Sequence, residues 1–281
     1  MRDIGYYNGK TGPIDEMTVP MNDRALYFGD GIYDATFGLD GKVFLLEDHV
    51  ERFYGNLERV GIVPYCTRQE LGELLGRLLG QVDGELCFLY WQTSRGVAPR
   101  NHAFPREGKG SLYITVKPVE FPDLKKRIGL SSTEDTRFLH CDIKTLNLLP
   151  AVMAAQKAQE EGCQECVFHR GEVVTECSHS NISILKDGVL RTHPLDRYIL
   201  PGIARKHLLM AAVRRNIPID ERPFTMDELR QADEVLVTSS SKLCLVAGQL
   251  EGRPVGGRAP ELVEALQGDL LEELYRYVGR L

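Results

Sequence analysis

The stretch on which the interpretation of this chain depends runs from His140 to Ala155 and reads HCDIKTLNLLPAVMAA. Lys144 is its only lysine or arginine, and it stands just ahead of an apolar run made of Leu148, Leu149, Val152 and Met153. A lysine with apolar neighbours loses water around its ammonium group, which favours the neutral and nucleophilic amine. Such an amine can condense with an aldehyde to form a Schiff base. Lys144 is therefore a candidate catalytic residue, and a lysine that merely snorkels from a helix end is the alternative.

A carboxylate further along the chain favours the catalytic interpretation. Glu176 lies in the segment VTECSHSN, 32 residues after Lys144. A carboxylate can keep the nitrogen of a pyridine ring protonated, and chemistry on a pyridine aldehyde needs both a lysine and such a partner. Lys144 and Glu176 together predict a cofactor site.

Several segments make the sequence resemble a known family. CDIKTLNLLPAVMA at 141–154, with TECSHSN at 175–181, resembles the class IV (fold type IV) pyridoxal-phosphate aminotransferases. FGDGIYD at 28–34, DHVERFY at 48–54 and RGVAPRNHAFP at 95–105 narrow the resemblance to the D-amino-acid aminotransferases. The order and spacing of these segments follow the family over nearly the whole chain.

The resemblance implies a mixed α/β (α+β) fold of type IV. In that fold a small N-terminal α/β domain precedes a larger C-terminal pseudo-barrel domain that binds the cofactor. The run from Lys117 to Pro122 is extended and stiffened by proline, so it is the best candidate for a boundary. We therefore expect a small domain at 1–118, a linker at 119–122 and a large domain at 123–281.

The resemblance also implies an activity and the residues that perform it. The activity is transamination between a D-amino acid, of the D-alanine or D-glutamate type, and a 2-oxo acid, with pyridoxal 5'-phosphate as cofactor. Lys144 forms the Schiff base and shuttles the proton, and Glu176 holds the ring nitrogen. The other implied cofactor-binding residues are Arg52, His179, Leu200, Ile203, Ala204, Ser239 and Ser240. The implied substrate-binding residues are Tyr33, Arg100 and His102, of which the last two reach in from the neighbouring subunit of a homodimer.

Local patterns give their own, plainer interpretation of some of these residues. Arg52 lies off the apolar stripe of a predicted helix at 47–60, so by itself it is expected to face solvent. Arg100 and His102 lie in an exposed loop, where such side chains are usually solvated. Gly29 and Gly31 do not complete a dinucleotide-binding G-x-G-x-x-G pattern, because position 34 is Asp and a strand is predicted at 32–37. The segment 200–205 opens a helix whose bare amides can bind a phosphate.

Short-range signals also predict secondary structure elsewhere in the chain. Residues 43–46 are predicted to form a strand, and the segment from Pro260 one amphipathic helix. Thr67-x-x-Glu70 and Thr225-x-x-Glu228 are capping boxes at helix starts. Hairpins are predicted across Arg170-Gly171 and Asp187-Gly188.

Two positions depart from the family pattern. Ala204 stands where the family usually has threonine, so one hydroxyl donor to the phosphate is missing. His179 stands where a small hydroxyl residue is usual. We therefore expect a weaker hold on the phosphate, with the chemistry of Lys144 unaffected.

Composition limits the remaining function classes. A net charge of −6 argues against a nucleic-acid or acidic-membrane surface. The sequence has no apolar run near the roughly 18 residues of a membrane helix, and its N-terminal segment has no signal-peptide pattern. Seven cysteines without a disulfide framework are typical of reduced thiols in a cytoplasmic protein. Cys163 and Cys166 form a C-x2-C pair, but no further ligands complete a zinc site, so we expect no metal.

Three alternatives to the D-amino-acid interpretation stay open. A branched-chain L-amino-acid aminotransferase and an aminodeoxychorismate lyase share the lysine and the glutamate, although Arg100-x-His102 fits them less well. A non-enzymatic pyridoxal-phosphate-binding protein would require the loss of a catalytic group, and the sequence retains all of them.

Overall fold

The computed structural model describes residues 2–279, which divide into two compact units. The first unit comprises residues 2–121, 143–147 and 277–279, and the second comprises residues 122–142 and 148–276. The short segment that contains Lys144 thus belongs to the first unit. The outer ends of the two predicted domains, residues 1 and 280–281, lie outside the described residues, and the boundary at 119–122 stays a prediction.

Strands and helices alternate along the described part of the chain. The strands are β1 (Ile4–Tyr7), β2 (Lys10–Gly12), β3 (Gly31–Leu39), β4 (Lys42–Val43), β5 (Leu86–Ser94), β6 (Ser111–Pro118), β7 (Ile128–Glu134), β8 (Glu165–Arg170), β9 (Val173–Cys177), β10 (Asn181–Lys186), β11 (Val189–Thr192), β12 (Ile219–Asp220), β13 (Glu234–Ser239), β14 (Leu243–Leu250) and β15 (Arg253–Pro254). The helices are α1 (Arg24–Phe28), α2 (Leu46–Arg59), α3 (Arg68–Leu79), α4 (Leu149–Glu160), α5 (Ile203–Arg214), α6 (Met226–Arg230) and α7 (Pro260–Val278), with a 3-10 turn at Ile14–Glu16.

The first unit contains an antiparallel sheet with the strand order β2-β1-β6-β5-β3-β4. Its central strand β5 alternates between buried and half-buried residues, as expected for a strand with one face on a core. Trp91 of β5 is fully buried, and Phe53 of α2 and Leu75 of α3 belong to the same apolar cluster. This core fixes β3 and α2, the two elements that carry the polar groups of the first unit described below.

Local signals explain where the helices of the first unit begin. Thr67 and Glu70 form the capping box that the sequence predicts before α3. The predicted strand at 43–46 is wrong beyond Val43, because β4 ends there, Leu45 turns the chain with a left-handed φ of 51° and α2 begins at Leu46. The sequence also gives no indication of α1, a five-residue helix that Asp23 caps by accepting a hydrogen bond from Ala25 N–H.

The second unit contains a nine-stranded mixed sheet with the order β12-β11-β10-β13-β14-β7-β8-β9, to which β15 adds through β14. The hairpins predicted across Arg170-Gly171 and Asp187-Gly188 are confirmed as β8–β9 and β10–β11. The last strand of the order, β9, turns tightly into the third, β10, with Cys177 N–H donating to Ser180 O. The sheet of this unit therefore curls back on itself, as expected for a pseudo-barrel.

Helix α7 is amphipathic, as the sequence predicts for the segment after Pro260. It buries Val263, Leu266, Leu270 and Leu274, which recur every three or four residues along one face. Among the helices of residues 2–279, none combines the length and the apolar character that crossing a membrane requires.

Candidate active site

Lys144 lies on a short extended segment that adds to the start of β3 in the first unit. Tyr33 N–H donates to Lys144 O at 2.9 Å, and Leu146 N–H donates to Gly31 O at 3.0 Å. The half-buried Lys144 side chain places its ammonium nitrogen 4.2 Å from the centroid of the Tyr33 ring. An ammonium group at this distance from an aromatic face is held by the ring's quadrupole. The structure therefore brings together two of the predicted site residues, Lys144 and Tyr33.

Gly31 allows this close approach. A Cβ built at Gly31 would lie 2.6 Å from Thr93 O on one side and 2.7 Å from Leu146 Cδ1 on the other. Any larger residue would push the Lys144 segment away from β3. The second glycine of FGDGIYD is thus a packing requirement at the site, consistent with its failure to complete a dinucleotide-binding motif.

Arg52 is buried, with 10% of its side chain exposed, and it pairs with Asp34 of β3. The Nε atom donates to Asp34 Oδ2 at 2.9 Å and Nη2 donates to Asp34 Oδ1 at 2.6 Å, which is a bidentate ion pair. His49, one turn earlier in α2, places Nδ1 2.8 Å from the same Oδ1. The expectation that Arg52 faces solvent is wrong, because a buried carboxylate on the adjacent strand provides its partner.

Burial and charge set the protonation of this cluster. Burial by itself raises the pKa of the Asp34 carboxyl, but Arg52 and His49 outweigh that effect and hold the pKa well below its usual range. Burial lowers the pKa of His49 despite the attraction of Asp34. The cluster therefore contains a carboxylate, a guanidinium and a neutral imidazole that donates from Nδ1. Because both Nε and Nη2 are committed to Asp34, the direction of the Arg52 guanidinium is fixed.

Arg100 and His102 are exposed, and both lie against the ring of Phe28. The Arg100 guanidinium carbon is 5.2 Å from the Phe28 ring centroid, and the His102 ring centroid is 5.1 Å from it. Within residues 2–279 neither side chain has a hydrogen-bond partner. Their polar groups can therefore take a ligand without breaking an existing bond.

Glu176 lies on β9 in the second unit and is 6% exposed. Its Oε2 accepts hydrogen bonds from Asn181 Nδ2 and from the backbone N–H of Leu200, both at 3.0 Å. Its Oε1 accepts a hydrogen bond from Arg137 Nη1. Three donors thus converge on one buried carboxylate and favour its anionic form. Two predicted cofactor-binding residues, Glu176 and Leu200, are in direct contact.

Arg137 is held by a second carboxylate as well. Asp135, fully buried, accepts from Arg137 Nε and Nη2, both at 2.9 Å, and also from Arg170 Nε at 3.2 Å and Thr175 Oγ1 at 3.1 Å. Burial by itself lowers the pKa of the Arg137 guanidinium, but Glu176 and Asp135 outweigh it and raise that pKa. Glu176 is therefore one member of a buried network of two carboxylates and two guanidinium groups.

The start of α5 has the form of an anion-binding turn. Gly202 is its N-cap and provides no side-chain cap, so the first amides, including those of Ile203 and Ala204, have no side-chain acceptor. A Cβ at Gly202 would lie 1.9 Å from Asn181 Oδ1. Only glycine can therefore bring this helix end against the residue that holds Glu176.

His179 lies in the turn between β9 and β10 with a buried carboxylate behind it. Its Nδ1 is 3.1 Å from Glu165 Oε2, and Lys242 Nζ is 3.5 Å from its Nε2. Glu165 also accepts from the hydroxyls of Ser178 and, at 2.8 Å, Ser180. Burial raises the pKa of Glu165, but these hydrogen bonds outweigh it and lower the pKa. An anionic Glu165 thus orients the His179 ring.

The serines predicted to bind the cofactor lie at the end of β13, with Ser239 as its last residue and Ser240 directly after it. Asn181 of β10 is paired in register with Thr238 of β13, so Ser239 and Ser240 extend past the strand pairing toward the β9–β10 turn. Ser239 Oγ lies 3.3 Å from Ser241 Oγ. Hydroxyls, uncapped amides and the imidazole of His179 therefore lie at one edge of the second unit.

The apolar residues that follow Lys144 are largely exposed. They are expected to remove water from its ammonium group, but Leu149, Val152 and Met153 are 71%, 60% and 66% exposed. They form one face of α4 at helical spacing and point to solvent in the single chain. Their position after the lysine in sequence does not by itself create an apolar pocket.

Sequence reasoning misses several residues at these sites. The residues that it does not single out for any role are Asp34, His49, Glu165, Arg137, Asn181 and Lys242. A signal exists for Asp34, since a charged residue inside an apolar strand needs a partner of opposite charge. Arg137 and Lys242 carry no local signal for their contacts with Glu176 and His179, which lie 39 and 63 residues away in the chain.

Sequence comparison finds relatives along most of the chain. Residues 31–248 match the sequence model of a family described as amino-transferase class IV. A D-alanine aminotransferase from Listeria monocytogenes serotype 1/2a (strain 10403S) is 37% identical over 273 residues, which cover 95% of this chain and 94% of that protein.

Two solved structures have a similar fold. The Escherichia coli branched-chain amino acid aminotransferase superimposes with a TM-score of 0.89 at 18% identity, covering 98% of this chain and 95% of that one. The branched-chain aminotransferase from the archaeon Thermoproteus uzoniensis, solved with norvaline, gives a TM-score of 0.85 at 22% identity, covering 98% and 97%. At these identities the likeness concerns the fold.

Proposed function

The chain belongs to the class IV aminotransferase family, and from that premise we propose that it transfers an amino group between a D-amino acid and a 2-oxo acid. The observation that carries the substrate class is the similarity to a D-alanine aminotransferase along almost the whole of both chains. The D-alanine and D-glutamate type of substrate is the one we expect.

Pyridoxal 5'-phosphate is the cofactor of this family, and it supplies the electron sink that makes the Cα–H bond of an amino acid acidic. The residues of this chain fit such a group. A buried carboxylate with three donors, at Glu176, suits a protonated ring nitrogen. The uncapped start of α5, which requires glycine at Gly202, suits a phosphate.

Lys144 is the residue that we assign to the bond with the cofactor aldehyde. Its amine would also carry the proton to and from the substrate, because a neutral primary amine can act as a general base. Its contact with the Tyr33 ring gives the amine a fixed position from which to do this.

Glu176 holds the ring nitrogen in its protonated state. Arg137 and Asn181 support the assignment, because they hold the carboxylate in a single orientation and keep it anionic. Leu200 packs against the ring, and its backbone N–H supplies the third bond to Glu176. A neutral residue in place of Glu176 would lose the charge that the ring nitrogen needs.

The phosphate takes the remaining donors. We assign to it the guanidinium of Arg52, the amides of Ile203 and Ala204, the hydroxyls of Ser239 and Ser240 and the imidazole of His179. The ion pair with Asp34 supports the role of Arg52, because a guanidinium of fixed direction loses little entropy when it binds an anion. Ala204 supplies an amide without the hydroxyl that threonine would add.

The substrate carboxylate is assigned to Tyr33, Arg100 and His102. This carboxylate-binding group would select the chirality of the substrate. Only one enantiomer can place its carboxylate there while its Cα–H faces Lys144. The other isomer exchanges its hydrogen and side chain, and a misplacement of about 1 Å can cost on the order of 10²-fold in rate.

We also propose that the enzyme acts as a homodimer in which Arg100 and His102 complete the neighbouring subunit's site. The apolar face of α4 supports self-association, since Leu149, Val152 and Met153 are more than half exposed in the single chain. A cytoplasmic location is supported by the free thiols of all seven cysteines.

Activity on D-alanine compared with L-leucine, each with 2-oxoglutarate as acceptor, tests the proposed function. We expect kcat/KM for D-alanine to exceed that for L-leucine by at least about 10²-fold. A preference for L-leucine would replace the proposal with a branched-chain L-amino-acid aminotransferase. No transamination of either substrate would remove both.

A further inference from the structure

The loop 96–109, which carries Arg100 and His102, is held to its own subunit by an arginine that no sequence argument singles out. Arg24 is 3% exposed, and its guanidinium faces three consecutive carbonyl oxygens of that loop. Nη1 donates to Asn101 O at 2.5 Å and to Ala103 O at 3.3 Å, and Nη2 donates to His102 O at 3.4 Å. Residues 101–103 belong to no helix or strand, so this side chain replaces the missing backbone pairing.

The start of the same loop is fixed by the backbone of the segment around Arg24. Arg24 N–H donates to Gly96 O at 3.0 Å, and Ala98 N–H donates to Asn22 O at 3.2 Å. Arg100 thus lies between two anchored points, the backbone pairing at 96–98 and the guanidinium at 101–103. The carbonyl bonds on both sides restrict its Cα to a small region of space.

Asp30, the first of the two aspartates of FGDGIYD, connects this anchor to a second one. It accepts from Arg24 Nε at 2.7 Å and from Arg95 Nε at 2.9 Å. Arg95 in turn donates to the carbonyls of Val60 and Gly61 just after α2, at 2.9 and 2.6 Å. One carboxylate therefore orients two buried guanidinium groups, of which one holds the loop and the other holds the end of α2.

Phe28 completes the arrangement. Its ring contacts the guanidinium of Arg24 at 4.8 Å and that of Arg100 at 5.2 Å, measured from the guanidinium carbon to the ring centroid. The His102 ring lies at 5.1 Å between centroids. The Phe28 ring therefore contacts both exposed polar side chains, Arg100 and His102, and is itself in contact with Arg24.

We propose that Arg24 is a positioning residue that fixes loop 96–109 in its carboxylate-binding conformation before any substrate arrives. The inference rests on the proposed function, in which Arg100 and His102 bind the substrate carboxylate. Arg24 touches neither substrate nor cofactor. It acts by holding the backbone from which both side chains project. The loop is then already ordered, so substrate binding loses little conformational entropy there.

The test compares Arg24→Lys, Asp30→Asn and a matched control, Arg191→Lys, in the holoenzyme. Lysine keeps the charge but cannot reach three carbonyls with a planar fork. Arg191 makes a double ion pair, with Asp220 and Glu228, within the second unit. Amide hydrogen exchange, read by mass spectrometry on peptides, reports the loop directly and without reference to activity.

In the peptide covering 99–104, the hydrogen-bonded amide is that of Ala103, which donates to Asn101 Oδ1 at 3.2 Å. Arg24→Lys should speed the exchange of this amide by on the order of tenfold or more, the factor expected when the bonds from a charged donor that hold this backbone are lost. Exchange around Val60 and Gly61 should change little. Asp30→Asn should speed exchange in both segments, because Asp30 orients both arginines. Arg191→Lys should leave both segments as in the wild type.

Steady-state kinetics connect the loop to binding. For Arg24→Lys, KM for D-alanine and the inhibition constant of propionate, a carboxylate without an amino group, should rise together, and both by more than kcat falls.

Wild-type exchange at 99–104 in Arg24→Lys would overturn the anchoring role, and Asp30→Asn decides the same point if Arg24→Lys fails to fold. Faster exchange with an unchanged KM and inhibition constant would overturn the link to binding. Failure of the wild type to transaminate D-alanine would instead refute the proposed function, whatever the exchange results.

Discussion

Asp34→Asn gives the sharpest stability prediction, because it removes a buried charge without changing the size of the side chain. Asp34 is fully buried and accepts two hydrogen bonds from Arg52 and one from His49. Breaking a buried ion pair from one side costs about 3–5 kcal/mol, since the remaining charge is left buried and unbalanced. Asparagine keeps one acceptor, so we expect the lower end, about 3 kcal/mol. At about 2–4 °C per kcal/mol for a domain of this size, Tm should fall by roughly 6–12 °C.

The effect should depend on pH with a defined sign. Because the pKa of Asp34 in the folded protein is held below its unfolded value of about 3.9, its contribution to stability is complete above that value. The contribution is lost as the pH falls below about 4 toward the folded pKa. The difference in Tm between wild type and Asp34→Asn should therefore be constant from pH 7 to 5 and shrink at lower pH.

The assay is scanning calorimetry of wild type, Asp34→Asn and the control Asp220→Asn at a series of pH values. Asp220 also pairs with two arginines, Arg191 and Arg222, but its side chain is 25% exposed. Solvent screening limits such a pair to about 0–1 kcal/mol. If the Tm of Asp34→Asn lies within about 2 °C of that of Asp220→Asn at pH 7, burial does not strengthen the Asp34–Arg52 ion pair and the stability prediction is wrong.

Three further predictions concern the cofactor and the subunits. Glu176→Gln should retain the cofactor but lose most turnover, because an amide cannot stabilise a protonated ring nitrogen through charge; half-reaction rates equal to the wild type would make Glu176 a structural residue. Ala204→Thr should tighten cofactor binding by roughly tenfold or more, since a hydrogen bond to a charged group is worth about 1.5–3 kcal/mol; equal dissociation constants by equilibrium dialysis would mean that His179 already replaces the hydroxyl. Mixing Lys144→Ala with Arg100→Ala protein under subunit exchange should recover partial activity at a hybrid site, and no recovery despite proven exchange would place both residues in one chain's site.

Local sequence signals predict much of the secondary structure, because each of them acts within a few residues. The capping boxes at Thr67 and Thr225 and the two glycine turns of the second unit satisfy backbone groups next to them in the chain. Helix α1 is missed because five residues are too few to show a periodic pattern. These helix starts and turns depend little on the rest of the fold, so a single sequence is enough to predict them.

Partners across long separations cannot be predicted in the same way. From its place on α2 alone, Arg52 is expected to face solvent. Its partner Asp34 lies on β3 and reaches it only when the helix packs on the sheet. Arg137 follows β7, and it meets Glu176 of β9 only when both strands pair with β8. Lys144 and Glu176 are found through a resemblance, and the residues that support them require coordinates.

The most direct test of the account is the site of covalent attachment of the cofactor, because every other assignment depends on Lys144. The holoenzyme is treated with borohydride, digested, and the modified peptide is identified by mass spectrometry. We predict a single phosphopyridoxyl group on the peptide that contains Lys144, and none in Lys144→Ala. Attachment at another lysine, such as Lys117 or Lys157, would contradict the account.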